Sequence, residues 1–105
     1  PEQLTMYKNM LKAGAHSALG ITNFKEGNYP GAENELKAAL DLTKAQPDPY
    51  TYYQLALTQE REKKFPEALA SVNEGLKYAG SDANINRLLT AKRDKINEEA
   101  GAPAK

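Results

Sequence analysis

Apolar residues recur along the chain at spacings of three and four, and each run stops where glycine, proline or a short polar residue stands. That period belongs to helices; a half-buried strand would alternate instead. Leu4, Tyr7 and Leu11 open the pattern, with Met6 and Met10 beside them as an adaptable contact surface or as packing. Ala13-Gly14-Ala15 follows. The first helix either runs unbroken over about 2–26 or breaks near Gly14, and the continuous or slightly kinked form is favoured. A mid-helix glycine is disfavoured by about 1 kcal/mol against alanine, which a packed neighbour can offset. Glu26-Gly27-Asn28 ends the helix, glycine tolerating the left-handed backbone of a helix end. Pro30 then opens a second helix over about 30–45, with Ala32, Leu36, Ala39 and Leu40 inward and a Glu33–Lys37 pair on the outer face. Asp48 as cap and Pro49 as first residue predict a third helix over about 49–63, with Tyr52, Leu55, Ala56 and Gln59 inward. A fourth, about 66–79, buries Ala68, Leu69, Val72, Leu76 and Tyr78. Gly80 ends it, and Ser81 or Asp82 caps a fifth over about 82–99. That helix sets Ile85, Leu88, Leu89 and Ile96 among polar residues, Lys92 included, on a wet outer face. Residues 100–105 read as a frayed, disordered tail.

The pattern repeats. Sliding Leu19 onto Leu55, an offset of 36, puts Lys25 on Arg61, Glu26 on Glu62, Tyr29 on Phe65 and Pro30 on Pro66. Ala32 falls on Ala68, Leu36 on Val72, Ala39 on Gly75 and Leu40 on Leu76. Large stays large and small stays small. A further slide puts Leu55 on Leu89, but only the first helix of that third unit follows. A single unit of this size cannot bury its apolar face alone, so neighbours must stack.

Those residues resemble the tetratricopeptide repeat (TPR). Unit one carries Leu19-Gly20, Gly27-Asn28-Tyr29, Ala32 and Ala39-Leu40; unit two carries Leu55-Ala56, Phe65, Ala68 and Gly75-Leu76. The resemblance covers roughly residues 13–99. His16 and Tyr52 stand where an aromatic precedes the Leu-Gly pair. Lys63-Lys64 stands where a glycine turn is common, and the connection holding Pro47 is two residues longer than usual. The fold this implies is all-α: a right-handed stack of antiparallel helical hairpins in one domain. It has an N-terminal extension (1–12), a first repeat (13–47), a second (48–81) and a C-terminal capping helix (82–99).

The resemblance further implies a function. In TPR proteins the first helices of the units line a concave groove that holds peptides. Carried over by position, unit one offers Ser17, Ile21, Phe24 and Lys25. Unit two offers Tyr50, Tyr53, Leu57 and Arg61, and the cap offers Asn84, Arg87, Ala91 and Lys95. Tyr50, Tyr53, Leu57 and Arg61 form one helical stripe. An aromatic-aliphatic stripe edged by Lys25, Arg61, Arg87 and Lys95 suits a peptide with apolar anchors and some acidic charge, tyrosine and arginine being frequent interface anchors. The carboxylate clamp of chaperone-binding TPR domains falls on Ser17, Ile21, Gln54, Asn84 and Leu88, which keep none of its charge. No binding to heat-shock chaperone tails is expected.

Composition narrows the classes further. Fourteen basic and fourteen acidic residues give a net charge of zero over 105 residues, which argues against a general nucleic-acid or anionic-membrane binder. There is no cysteine, hence no disulfide frame and no thiolate chemistry. The compartment stays open, with the cytoplasm slightly favoured. No apolar run reaches the length of a membrane span, and no signal peptide is visible. Catalysis finds little support. His16 is the sole histidine, with Lys12 and Gly20 four residues away on either side, and reads as structural. Glu60, Glu62, Glu98 and Glu99 read as solvent-facing acids, and no phosphate loop or serine elbow is present. No metal or cofactor is expected. The resulting expectation is a non-catalytic interaction scaffold. The alternative is self-association through the N-terminal helix, or helix exchange through the 43–50 connection. Two and a half repeats lie below the usual minimum of about three, and residues 2–12 have no preceding repeat to cover them.

Overall fold

The computed structural model describes residues 2–101, and every regular element among them is helical. Five helices follow one another: α1 (Glu2–Lys25), α2 (Tyr29–Leu42), α3 (Pro49–Arg61), α4 (Phe65–Tyr78) and α5 (Ala83–Gly101). The sequence predicts each of them to within a few residues. α1 runs unbroken through Gly14. α5 takes in Ala100 and Gly101, which the sequence assigns to a tail; residues 102–105 and Pro1 lie outside the described residues.

Local chemistry fixes the ends. Asn28 Oδ1 accepts the Gly31 N–H at 3.1 Å and caps α2. Asp48 Oδ1 accepts the Tyr50 N–H at 2.9 Å and caps α3, whose first residue is Pro49. Asp82 Oδ1 caps α5 through the Asn84 and Ile85 N–H groups. Such caps satisfy donors that a helix start leaves without intrahelical partners. α2 stops at Leu42, short of the predicted 45. The Thr43 N–H turns back to the Leu40 carbonyl and its hydroxyl donates to the Ala39 carbonyl at 3.0 Å, closing the helix early.

Each helix packs on the next, and α1 also meets α3 while α3 meets α5. α1 makes no contact with α4 or α5, so the helices stack along one direction rather than close into a bundle. The long axis is 55 Å against 31 and 19 Å across. One core cluster, Ala56, Ala68, Val72, Ala79, Ile85, Leu89 and Ile96, lies among α3, α4 and α5 with Tyr53, Phe65, Leu69 and Leu76 against it. Ala13, Gly20, Ala32, Leu36 and Ala39 fill the α1–α2 contact. A Cβ on Gly20 would meet Leu36 Cγ at 2.8 Å, so the Leu19-Gly20 pair serves close helix approach. The repeat-equivalent leucines differ: Leu55 is buried and Leu19 is exposed.

Several inward assignments need correction. Tyr78 is exposed and stacks its ring on Tyr52 at 6.1 Å, because it lies a step of about 100° round the helix from Ala79, which faces the core. Leu88 is exposed, beside the buried Leu89. The errors also run the other way. Glu33, Glu60 and Lys92 are buried, and Glu62 is nearly so. A helix packed on two sides buries a wider arc than its apolar stripe, and the polar residues at the arc's edges go in with partners.

Candidate functional site

Between α1, α3 and the 43–48 connection lies a cleft of about 320 Å³. Ala13, Gly14, Leu36 and Ala39 give it an apolar floor; Ser17, Ile21, Tyr50 and Gln54 wall it; Thr43, Gln46 and Asp48 close its end. Its size follows from small residues. Ala13-Gly14 places no bulk on the α1 side, and the Cβ that Gly14 lacks would meet nothing within 4 Å. α2 contributes the floor because its last turn, Ala39 to Thr43, lies under the gap.

The residues predicted for the groove divide into four groups. Ser17, Ile21 and Tyr50 come together in the cleft. Phe24 and Arg61 meet further along, the guanidinium 5.4 Å from the ring centroid, and Tyr29 packs on Phe24 at 5.3 Å. Tyr53 and Leu57 are half-buried, and Tyr53 belongs with the core packing rather than with a free surface. Lys25, Asn84, Arg87, Ala91 and Lys95 are exposed, and Arg87 Nη2 donates to Asn84 Oδ1 at 2.6 Å within α5. The cleft lining therefore contains no lysine or arginine; its one charged side chain is Asp48, already engaged as a cap. Met10, Ala13, Gly14, Thr43, Gln46 and Thr51 line the cleft without having been singled out as groove residues. Their signal was the small-residue run at 13–15 and the lengthened connection.

The strongest electrostatics lie beside the cleft, at the helix seams. Glu33 accepts from Lys37 and Lys64, both at 2.9 Å, and from Gln59 Nε2 at 3.1 Å; Gln59 in turn accepts from the Ser71 hydroxyl at 2.6 Å. Burial pushes the Glu33 carboxyl up, but the bonds from Lys37, Lys64, Glu62 and Gln59 outweigh it and hold the group at about 2. Glu62 moves the other way, raised by burial and by Glu33 beside it. Glu60 Oε1 takes Lys92 Nζ at 2.8 Å, a buried ion pair joining α3 to α5. Burial opposes the ionised form of Glu60; Glu99 and Lys92 win and lower it, while Glu99 is raised by Glu60. Glu60 Oε2 and Glu62 Oε1 are buried without a partner as ionised oxygens. A proton on Glu99 would donate to the first, and a proton on Glu62 would let the second donate to Glu33. Both pairs are corrections to acids read as facing solvent, and neither lines the cleft.

His16, half-exposed, meets Glu35 at 2.9 Å across the α1–α2 contact. Among the described residues no group of three or more His, Cys, Asp or Glu side chains could hold a metal ion. No described helix is long and apolar enough to cross a membrane. No family model, curated protein or solved structure matches the chain significantly.

Proposed function

We propose that the chain is a non-catalytic interaction module of TPR-like architecture, holding a peptide or protein segment in the groove between α1 and α3. The cleft carries this reading: it gathers three of the residues named from the repeat over an apolar floor with a polar rim that holds no lysine or arginine. Successive packing of helices, with contacts between α1 and α3 and between α3 and α5, supports the repeat reading. An apolar side chain of the bound segment seats on Gly14, Leu36 and Ala39. Ser17, Gln54 and Thr43 offer hydrogen bonds to its backbone. Desolvation of the anchor supplies most of the binding, and the polar rim sets direction. Acidic residues in the ligand would act only beyond the cleft, where Lys25 and the exposed edge of Arg61 lie. Recognition proceeds without bond making or breaking.

Selection from a displayed random-peptide library tests this, with the wild type beside Ser17→Phe, which fills the cleft, and Tyr50→Ala, which removes a wall. Both positions lie at least partly in solvent, so helical content by circular dichroism should match the wild type. The expected result is a set of peptides sharing an apolar anchor, retained by the wild type and weakened at least tenfold by Ser17→Phe. Equal retention by all three proteins would move the function away from this cleft.

A further inference from the structure

The outer face of α1 carries Leu4, Tyr7, Leu11, Ala15, Ala18 and Thr22, all exposed. Their spacings of 3, 4, 4, 3 and 4 form one stripe on the side opposite Ala13 and Gly20, which face α2. Two steps of four follow a step of three, an eleven-residue repeat of about 3.67 residues per turn, which keeps the stripe on one side of a nearly straight helix and suits pairing along its length. Leu4, Tyr7 and Leu11 leave 49, 59 and 59% of their surface in water. The large side chains occupy the N-terminal half of the stripe and the small ones the C-terminal half.

We infer that α1 pairs with α1 of a second copy, antiparallel, through this stripe. The inference is independent of the groove reading. With a two-fold axis passing near Ala13, Leu4 faces Thr22 of the partner, Tyr7 faces Ala18 and Leu19, and Leu11 faces Ala15. Each contact occurs twice, as an isologous interface requires. Within the stripe large stands opposite small, so side chains interdigitate without overpacking, and Leu19, exposed at its edge, adds a second apolar contact to Tyr7. A parallel pair would instead set Tyr7 on Tyr7 and leave the alanine half empty. The helix dipoles favour the same choice, since antiparallel pairing opposes them. Lys8 and Lys12 flank the stripe, and α1 has one acid, Glu2. Antiparallel pairing puts Lys8 near Ala18 and brings Lys12 within a turn of the partner's Lys12, a repulsion that exposure to solvent screens. From Leu4 to Thr22 the stripe is about 27 Å long at the helical rise. A helix pair of that length buries on the order of 1,000 Å² in all, the low end for a specific interface. An interface of that size makes a weak, reversible dimer. Ser17 and Ile21 lie off the stripe, so the cleft stays open in the dimer.

Sedimentation velocity on the full chain, from about 1 µM to about 1 mM, spans the range of a weak dimer. A monomer-to-dimer transition is expected, and Leu11→Glu, an exposed change, should weaken it at least tenfold. The chain has no cysteine, so introduced thiols report the register. Tyr7→Cys mixed with Ala18→Cys should give a disulfide-linked heterodimer on oxidation, and Leu4→Cys mixed with Thr22→Cys should do the same. Tyr7→Cys alone should not link. A monomer throughout the range, an undiminished dimer in Leu11→Glu, or faster self-linking of Tyr7→Cys would each overturn the proposal.

Discussion

Gly14 and Gly20 lie on one helix and answer to opposite constraints. The Cβ missing from Gly20 points at Leu36 Cγ, 2.8 Å away, and at the Ala32 carbonyl oxygen at 3.3 Å. Leu36 is fully buried and cannot yield cheaply. Gly20→Ala should therefore destabilise the fold by about 1–2 kcal/mol, overpacking exceeding the gain in helix propensity. Gly14 has open space at the same point, so Gly14→Ala should stabilise by about 0.5–1 kcal/mol. Urea unfolding of the two variants beside the wild type checks both signs, and a loss at Gly14 as large as at Gly20 would refute the distinction. The repeat pattern made Gly20 legible, since it occupies a position where a small residue recurs as Ala56. Gly14 was visible only as a weak point in a helix; that it opens a cleft depends on α2 and α3, which no local pattern reports. Glu33, Glu60 and Lys92 show the same boundary. Their burial follows from partners 26 to 32 residues away in sequence, beyond the reach of helical periodicity.

The α1–α2 and α3–α4 turns are a natural experiment within one chain. Gly27 and its repeat equivalent Lys63 both adopt left-handed backbone, with φ of 80° and 61°. For glycine that conformation is free of steric penalty; for lysine it is strained by roughly 1–2 kcal/mol. The next positions differ as well. Asn28 caps α2 with its side chain, whereas Lys64 makes no cap bond to α4 and reaches instead to Glu33 and Glu62. The second turn thus trades local stability for a link between α2 and the start of α4. Lys63→Gly should relieve the strain and raise stability by about 1 kcal/mol, and Gly27→Ala should lower it by a similar amount. Thermal unfolding decides; a destabilised Lys63→Gly would mean that the lysine side chain matters more than its backbone. Helix order and approximate limits were legible from proline, glycine and aspartate placement, because those residues act on their own backbone. The early stop of α2 was not, since it depends on how Thr43 turns its hydroxyl toward Ala39.

Taken whole, the molecule is a row of helices joined across its seams by charged groups as well as by apolar packing. The stack was legible because one offset aligns two units; the cleft was legible only in part, since its floor belongs to a second helix and its end to a connection. The Glu33 cluster joins α2 to α3 and the start of α4, and it gives stability a defined pH dependence. The Glu33 carboxyl ionises near 4.5 in an unfolded chain and at about 2 in the fold. Its contribution is fully present above pH 4.5 and is lost as pH falls toward 2, because the unfolded chain takes up the proton first. That difference corresponds to at most about 3.5 kcal/mol. Glu62, raised by burial and by Glu33, and Glu99, raised by Glu60, act in the opposite sense. Their contributions are present below pH 4.5 and fade as pH rises through their raised values. Glu33→Gln keeps the shape and removes the charge, leaving Lys64 and Lys37 without their carboxylate. It should be less stable than the wild type at pH 7 by about 1–3 kcal/mol. The gap should close between pH 4.5 and about 2, as the wild-type carboxylate is neutralised. Urea midpoints at about pH 7, 4.5 and 2.5 follow this directly. A gap that stays constant across the acid range would show that the cluster holds its helices by shape and not by charge.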